Sequence, residues 1–233
     1  MKKAIFAALA SAALAGAASA NDKAADIERE LQAKTGIKAE HIAPAPVKGL
    51  WEVSAYGRIF YVDDEVKNIM NGDIIDIATK VNRTQESLKN MARHEWKNLP
   101  FEDAVKQVFG KGERKLVVFS DANCVYCRQL EGTFEKVGNL TVYTFIVPML
   151  RGDENNREIV CSKDKAKAWH DWMAKGIAPD AAPVSCDSSV LSRNYRLFQK
   201  FQLTGAPALF FENGMMKAGA VDADTLDKLL SIK

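Results

Sequence analysis

The hydrophobic positions of this chain change period along its length, and the changes mark its elements. Ala24 to Ala33 is amphipathic at helical spacing. Trp51, Val53 and Ala55 then alternate with Glu52 and Ser54, Tyr56-Gly57 offers a turn, and Ile59 to Val62 makes a second strand. Asn71-Gly72 is a further turn signal before the short run Ile74 to Ile77, so Val47 to Ile77 reads as a small antiparallel sheet. Thr84 is placed to cap a helix reaching about Lys97, with Leu88, Met91, Ala92 and Leu99 as a thin apolar stripe and Pro100 as its stop. That charged stretch reads as a linker, with an ordinary surface helix as the alternative.

Beyond Phe101 the pattern alternates strand and helix. Expected are a short helix Glu102 to Phe109, a strand Lys115 to Ser120, a helix Val125 to Val137 and a strand Leu140 to Val147. A mainly helical region then runs from Asp153 to Phe201, and Ala208–Phe211 and Met215–Lys217 flank Asn213-Gly214 as a hairpin. A last helix, capped by Asp222 or Asp224, reaches Ile232. The order predicts a central sheet covered on both faces. The implied divisions are a leader 1–20, a β-rich domain 21–81, a linker helix 82–99 and a second domain 100–233.

The leader has a basic start at Lys2 and Lys3, an uncharged apolar run from Ala4 to Ala17 and a small-residue box, Ala18-Ser19-Ala20. It reads as a signal peptide cleaved after Ala20, since the run is shorter than the roughly 20 residues a membrane span needs. A bacterial periplasm is the expected location. Without the leader, 30 basic residues balance 30 acidic ones, which gives no reason to expect nucleic acid or an anionic membrane as partner. In an oxidising compartment four cysteines suggest disulfides more than metal. The β-rich domain, at about 60 residues, has difficulty burying enough apolar surface alone, so pairing with a second copy is physically reasonable.

Cys124-Val125-Tyr126-Cys127 carries the candidate chemistry, set between a strand and the start of a helix. At a helix N-terminus the Cys124 sulfur is favoured as thiolate, the form that attacks disulfides, and Cys127 is close enough to release it from a mixed disulfide. An inert bridge or half a zinc site are the alternatives; zinc needs two more ligands, and Cys161 and Cys186 stand 25 apart with no second pair of that spacing. No metal and no cofactor is expected. Asp121 either relays protons to Cys124 or tunes its charge, or else caps the helix or faces water, and Tyr126 offers apolar contact to substrate or packs inside. His41, His94 and His170 adjoin no nucleophile and are read as structural or surface residues.

The order of strand, Cys-x-x-Cys, helical insertion and Gly205-Ala206-Pro207 before a strand resembles the thioredoxin fold, in which that proline is cis and faces the cysteines. With Phe119-Ser120-Asp121-x-x-Cys-x-Tyr-Cys, the second cysteine pair, the Gly49 to Val53 strand and the Asn71-Gly72-Asp73 turn, nearly the whole mature chain resembles the DsbC/DsbG family of periplasmic disulfide isomerases. The resemblance implies an α+β chain: a thioredoxin-like catalytic domain with a helical insertion, behind a small cystatin-like dimerisation domain and a linker helix. It also implies a homodimer around a cleft, misfolded disulfide-containing exported proteins as clients and a DsbD-type membrane reductase as electron donor. Ala206 and Pro207 then line the substrate wall, and Cys161–Cys186 is a structural disulfide, a second redox pair being the alternative. Val125 and Ala206 depart from the family, which often has Gly or Pro between the cysteines and commonly Thr before the proline. Besides isomerisation, a DsbG-like reductase of sulfenylated single cysteines and a non-catalytic holdase remain open.

Overall fold

A computed structural model describes residues 21–150 and 154–232; the expected leader lies outside them. The chain forms two compact units that part between Leu88 and Lys89.

In the first unit, helix α1 (residues 21–35) buries Ile27 and Leu31, one turn apart, against one face of a sheet. Strands β1 (His41–Pro44), β2 (Leu50–Ala55), β3 (Arg58–Asp63) and β4 (Ile69–Met70) lie in that order, all antiparallel. Trp51 faces Val62 and Val53 faces Phe60 across β2 and β3, so the period-two pattern delivers the core of this unit. Tyr56 and Gly57 both take positive φ, 54° and 68°, as a two-residue hairpin turn of the primed type requires.

Two expectations fail here. Ile74 to Ile77 is no strand: it makes a single bridge, Ile75 to Asn82, because the Asp76 carboxylate captures the Ala78 and Thr79 N–H groups and turns the chain. The edge strand β1 takes its place, with Pro44 at its end where no ladder donor is needed. Helix α2 (Arg83–Lys97) is capped by Asn82, whose side chain accepts from Gln85 N–H at 3.0 Å. Thr84 instead turns inward, accepting from Ile74 N–H at 2.9 Å and pairing with the Tyr61 hydroxyl.

The second unit begins within α2. Trp96 is buried there with its ring edge-on to Phe210 and Phe101, a contact the thin stripe of the sequence omitted. Gly214, at φ 88°, sits so close beneath α2 that a Cβ would stand 2.7 Å from the Lys89 carbonyl oxygen. The sheet has the order β5-β7-β6-β8-β9, from β5 (Val105–Phe109), β6 (Arg114–Ser120), β7 (Leu140–Ile146), β8 (Ala208–Phe211) and β9 (Met216–Ala218). Of its pairings, β6 with β7 is parallel and the other three are antiparallel.

Strand β6 is buried on both sides. Leu116 and Val118 face Leu130 and Phe134 of α3 (Val125–Val137) and Leu226 of α7 (Ala223–Leu230), while Val117 and Phe119 face Trp96 and Phe198. The helix expected over Glu102 to Phe109 is β5, after a single 3₁₀ turn Phe101–Asp103. Val105 and Gln107 point inward and Lys106 and Val108 outward, a strand period that helical spacing does not explain. Helices α4 (Glu154–Cys161), α5 (Lys165–Lys175) and α6 (Ser189–Lys200) form the insertion, with Phe198 of α6 in the core beside Phe119. Asp222 caps α7.

Candidate active site

The site is built where β6 hands over to α3. Cys124 is the N-cap of α3, in extended conformation, and its Sγ accepts the Cys127 N–H at 3.3 Å. The sulfur therefore does the work of a capping oxygen, beside the positive end of the helix dipole. On its other side Cys124 Sγ lies 3.5 Å from the Ala206 carbonyl oxygen, to which its S–H donates. The Ala206–Pro207 peptide is cis. Two segments 82 residues apart thus meet at one sulfur.

The two cysteines are unequal. Cys124 retains 7% exposure and Cys127 2%. Burial, and then the neighbouring Cys124 sulfur, push the Cys127 thiol up to about 12, against weaker opposing hydrogen bonds from the Ser120 side chain and the Asp121 backbone. Both are free thiols, whereas Cys161, at the end of α4, and Cys186, before α6, form a disulfide that ties the insertion together.

Asp121 does not face water. It is fully buried, and its carboxylate accepts four hydrogen bonds: from Asn123 N–H and Asn156 Nδ2 on one oxygen, and from Met149 N–H and Leu150 N–H, at 2.7 and 2.8 Å, on the other. Those bonds use the acceptor directions a carboxylate has, and they join the loop before Cys124 to the segment after β7. It is not the cap of α3 either, since that position belongs to Cys124.

Tyr126 is 61% exposed and Val125 62%, so the residues between the cysteines project outward. Ala206 is half-buried and Pro207 buried, with Gly205 exposed beside them. The surface offered on that side is therefore loop backbone rather than the proline ring. Among the described residues the Ala206 N–H has no hydrogen-bond partner.

Other residues escaped the sequence reading. Asn156 of α4 accepts from Ala122 N–H, and Trp172 of α5 donates to the Ala122 carbonyl at 2.7 Å. Glu131 of α3 is buried at 3% exposure, held by Trp169 Nε1–H at 2.6 Å and Gln107 Nε2–H at 3.0 Å. Its burial raises the carboxyl from 4.5 to about 6. The spacing Trp169-x-x-Trp172, which puts two indoles near one helix face, was the available signal. Among the described residues no group of three or more His, Cys, Asp or Glu is placed to hold a metal.

Known proteins decide the family. Residues 101–231 match the thioredoxin-like domain, and residues 16–85 match the disulfide bond isomerase protein N-terminal domain. The chain is 38% identical to a probable thiol:disulfide interchange protein DsbC of Bordetella pertussis, over 91% of this chain and 76% of the relative. The chain belongs to the DsbC family. A second relative, DsbC of Escherichia coli K12, is 30% identical over 94% of this chain and 91% of its own length. A crystal structure of a disulfide interchange protein from Neisseria gonorrhoeae, 35% identical, covers 57% of this chain and 96% of its own at a TM-score of 0.54. As a DsbC-family member the chain is a thiol:disulfide oxidoreductase/isomerase, with a thioredoxin-like domain behind the N-terminal domain of disulfide bond isomerase proteins. Among the described residues no helix is long and apolar enough to cross a membrane.

Proposed function

We propose that this chain is a periplasmic disulfide isomerase in which Cys124 is the attacking and Cys127 the resolving sulfur. The observation that carries the reading is the position of Cys124 Sγ, taken up on one side by the N–H of Cys127 and on the other by the carbonyl before Pro207. Cys124 as thiolate attacks one sulfur of a client disulfide, forming a Cys124–client disulfide and releasing the client's other sulfur as thiolate. A second client thiolate displaces Cys124 and completes the rearrangement with no net change in electrons. When rearrangement stalls, Cys127 displaces the client, leaving Cys124–Cys127 oxidised; an external dithiol must then return two electrons.

Exposed Val125 and Tyr126 supply apolar contact, and the free Ala206 N–H is an edge on which an extended client segment pairs. The Asp121 carboxylate, occupied by four donors, fits a positioning role better than a proton relay. The reading includes cleavage of a leader after Ala20, a homodimer formed through the N-terminal unit, a linker helix over 82–99 and a DsbD-type membrane reductase as electron donor.

The test uses the mature full chain and a scrambled multi-disulfide protein. Cys124→Ser abolishes recovery of the native disulfides, and Cys127→Ala accumulates mixed disulfides with the client. Recovery undiminished in Cys124→Ser refutes the assignment. A DsbG-like reductase instead reduces a sulfenylated single-cysteine substrate without recovering the scrambled one.

A further inference from the structure

One charged side chain at the rim of the exchange site has no role in the cycle described above. Arg128 follows Cys127 directly, in the first turn of α3, and is exposed. Its guanidinium lies 5.0 Å from the centre of the Trp172 ring, and Trp172 is itself fixed by its 2.7 Å hydrogen bond to the Ala122 carbonyl. Ala122 stands two residues before Cys124. The cation is therefore tied, through an indole, to the loop that carries the attacking sulfur. Stacking of this kind holds the planar fork while leaving its edge donors open, which a lysine ammonium does not reproduce.

Nor does the charge have a close counter-ion among the described residues. Among the described residues the Arg128 guanidinium makes no ion pair and no hydrogen bond. Of the carboxylates nearest in sequence, Asp121 is taken up by four donors and Glu131 by Trp169 and Gln107, while Glu135, further along α3, lies 4.0 Å from His170 Nδ1. On α5, Asp171, next to Trp172, is paired with both Lys167 and Lys175. A pre-oriented guanidinium with free donors, on a residue one helical turn after Cys124, is suited to a planar anion, and a carboxylate accepts from it in bidentate fashion.

We propose that Arg128, held by Trp172, is a specificity-determining residue that receives an acidic side chain of the polypeptide bound at the exchange site. Disulfides flanked by Asp or Glu are then attacked faster than those flanked by neutral or basic residues. The proposal rests on the exchange reading and adds to it a preference that the cysteines alone do not supply.

The experiment measures single-turnover reduction by the reduced full-length protein of three peptides. Each carries one disulfide and differs only in a Glu, Gln or Lys beside it. The wild-type protein is expected to reduce the Glu peptide about fivefold faster than the Gln peptide at low salt, and the Lys peptide more slowly still, with the spread closing as ionic strength rises. Arg128→Gln collapses the Glu-to-Gln ratio to about one while leaving the Gln peptide's rate unchanged. Trp172→Phe, which keeps a ring but loses the bond to Ala122, lowers the ratio part of the way. Equal rates for the three peptides in the wild-type protein, or a ratio that survives Arg128→Gln, overturn the proposal. Failure to attack even the Gln peptide, read as neither a Cys124–peptide mixed disulfide nor reduced peptide, overturns the exchange reading instead.

Discussion

Glu131 should be a liability at neutral pH, and replacing it by Gln should stabilise the protein. The carboxyl is buried, and burial raises it from 4.5 to about 6 although Trp169 and Gln107 both donate to it. A group raised in the folded state favours folding most while protonated. Its stability is fully present below pH 4.5 and is lost as pH climbs through about 6. That rise corresponds to a loss of about 2 kcal/mol above pH 7. The amide introduced by Glu131→Gln would keep an oxygen for Trp169 Nε1–H and turn its own donor toward Gln107, whose Oε1 is buried and unpartnered in the native protein. Gln107 then rotates about its last bond and accepts. Glu131→Gln is thus expected to leave stability unchanged at pH 4.5 and to raise it by about 2 kcal/mol at pH 8, or about 4–8 °C in Tm. Thermal unfolding of wild type and variant, followed by near-UV circular dichroism from pH 4.5 to 8, checks this. If the two curves stay parallel across that range, the Glu131 ionisation is not coupled to folding and the reasoning is refuted.

Two further outcomes follow from the packing around the site. Replacing Cys161 and Cys186 by Ala removes a bridge across 25 residues, which by loop entropy costs about 3 kcal/mol, read by urea unfolding, and leaves Cys124 as reactive toward a peptide disulfide as before. Loss of exchange in a folded double variant would make that pair redox-active. Asp121→Asn puts amide hydrogens where Met149 and Leu150 N–H now donate, costs about 2 kcal/mol and slows exchange without shifting its pH profile. A shifted profile would return Asp121 to a proton-transfer role.

The sheet's central strand, the hairpin at Asn213-Gly214 and the capped α3 were legible because each rests on local chemistry: a double-sided apolar run, a turn dipeptide and a helix start. What escaped depends on partners distant in sequence. Val105-Lys106-Gln107-Val108-Phe109 follows a helical turn and stops at Gly110, so it reads as helix until β7 is there to pair with it. Asp76 defeats the apolar run around it by capturing backbone donors, which periodicity does not register. At the site, the Cys-x-x-Cys pair at a helix start was legible from its spacing, and the cis proline only through the resemblance to the thioredoxin fold. Asn156 and Trp172 were not, since they reach Ala122, in the loop before Cys124, from 34 and 50 residues away respectively.

If Cys124 attacks and Cys127 resolves, as proposed, the inequality of the two cysteines bears on which cycle the protein favours. Burial is the first cause of the raised Cys127 thiol, and it persists when Cys124 is bonded to a client, whereas the contribution of a charged Cys124 disappears in that state. At neutral pH the fraction of Cys127 present as thiolate stays small, so displacement of the client by Cys127 is slow. A client's own thiols, ionising in water near the ordinary value of about 8.5, compete well against it. Rearrangement within the mixed disulfide therefore has time to occur before escape. The same low ionisation would make a poor net reductant, because each reducing turnover must pass through Cys127. In the proposed cycle the raised Cys127 thiol therefore favours isomerisation over reduction, by rate rather than by any difference in the chemistry of the two sulfurs.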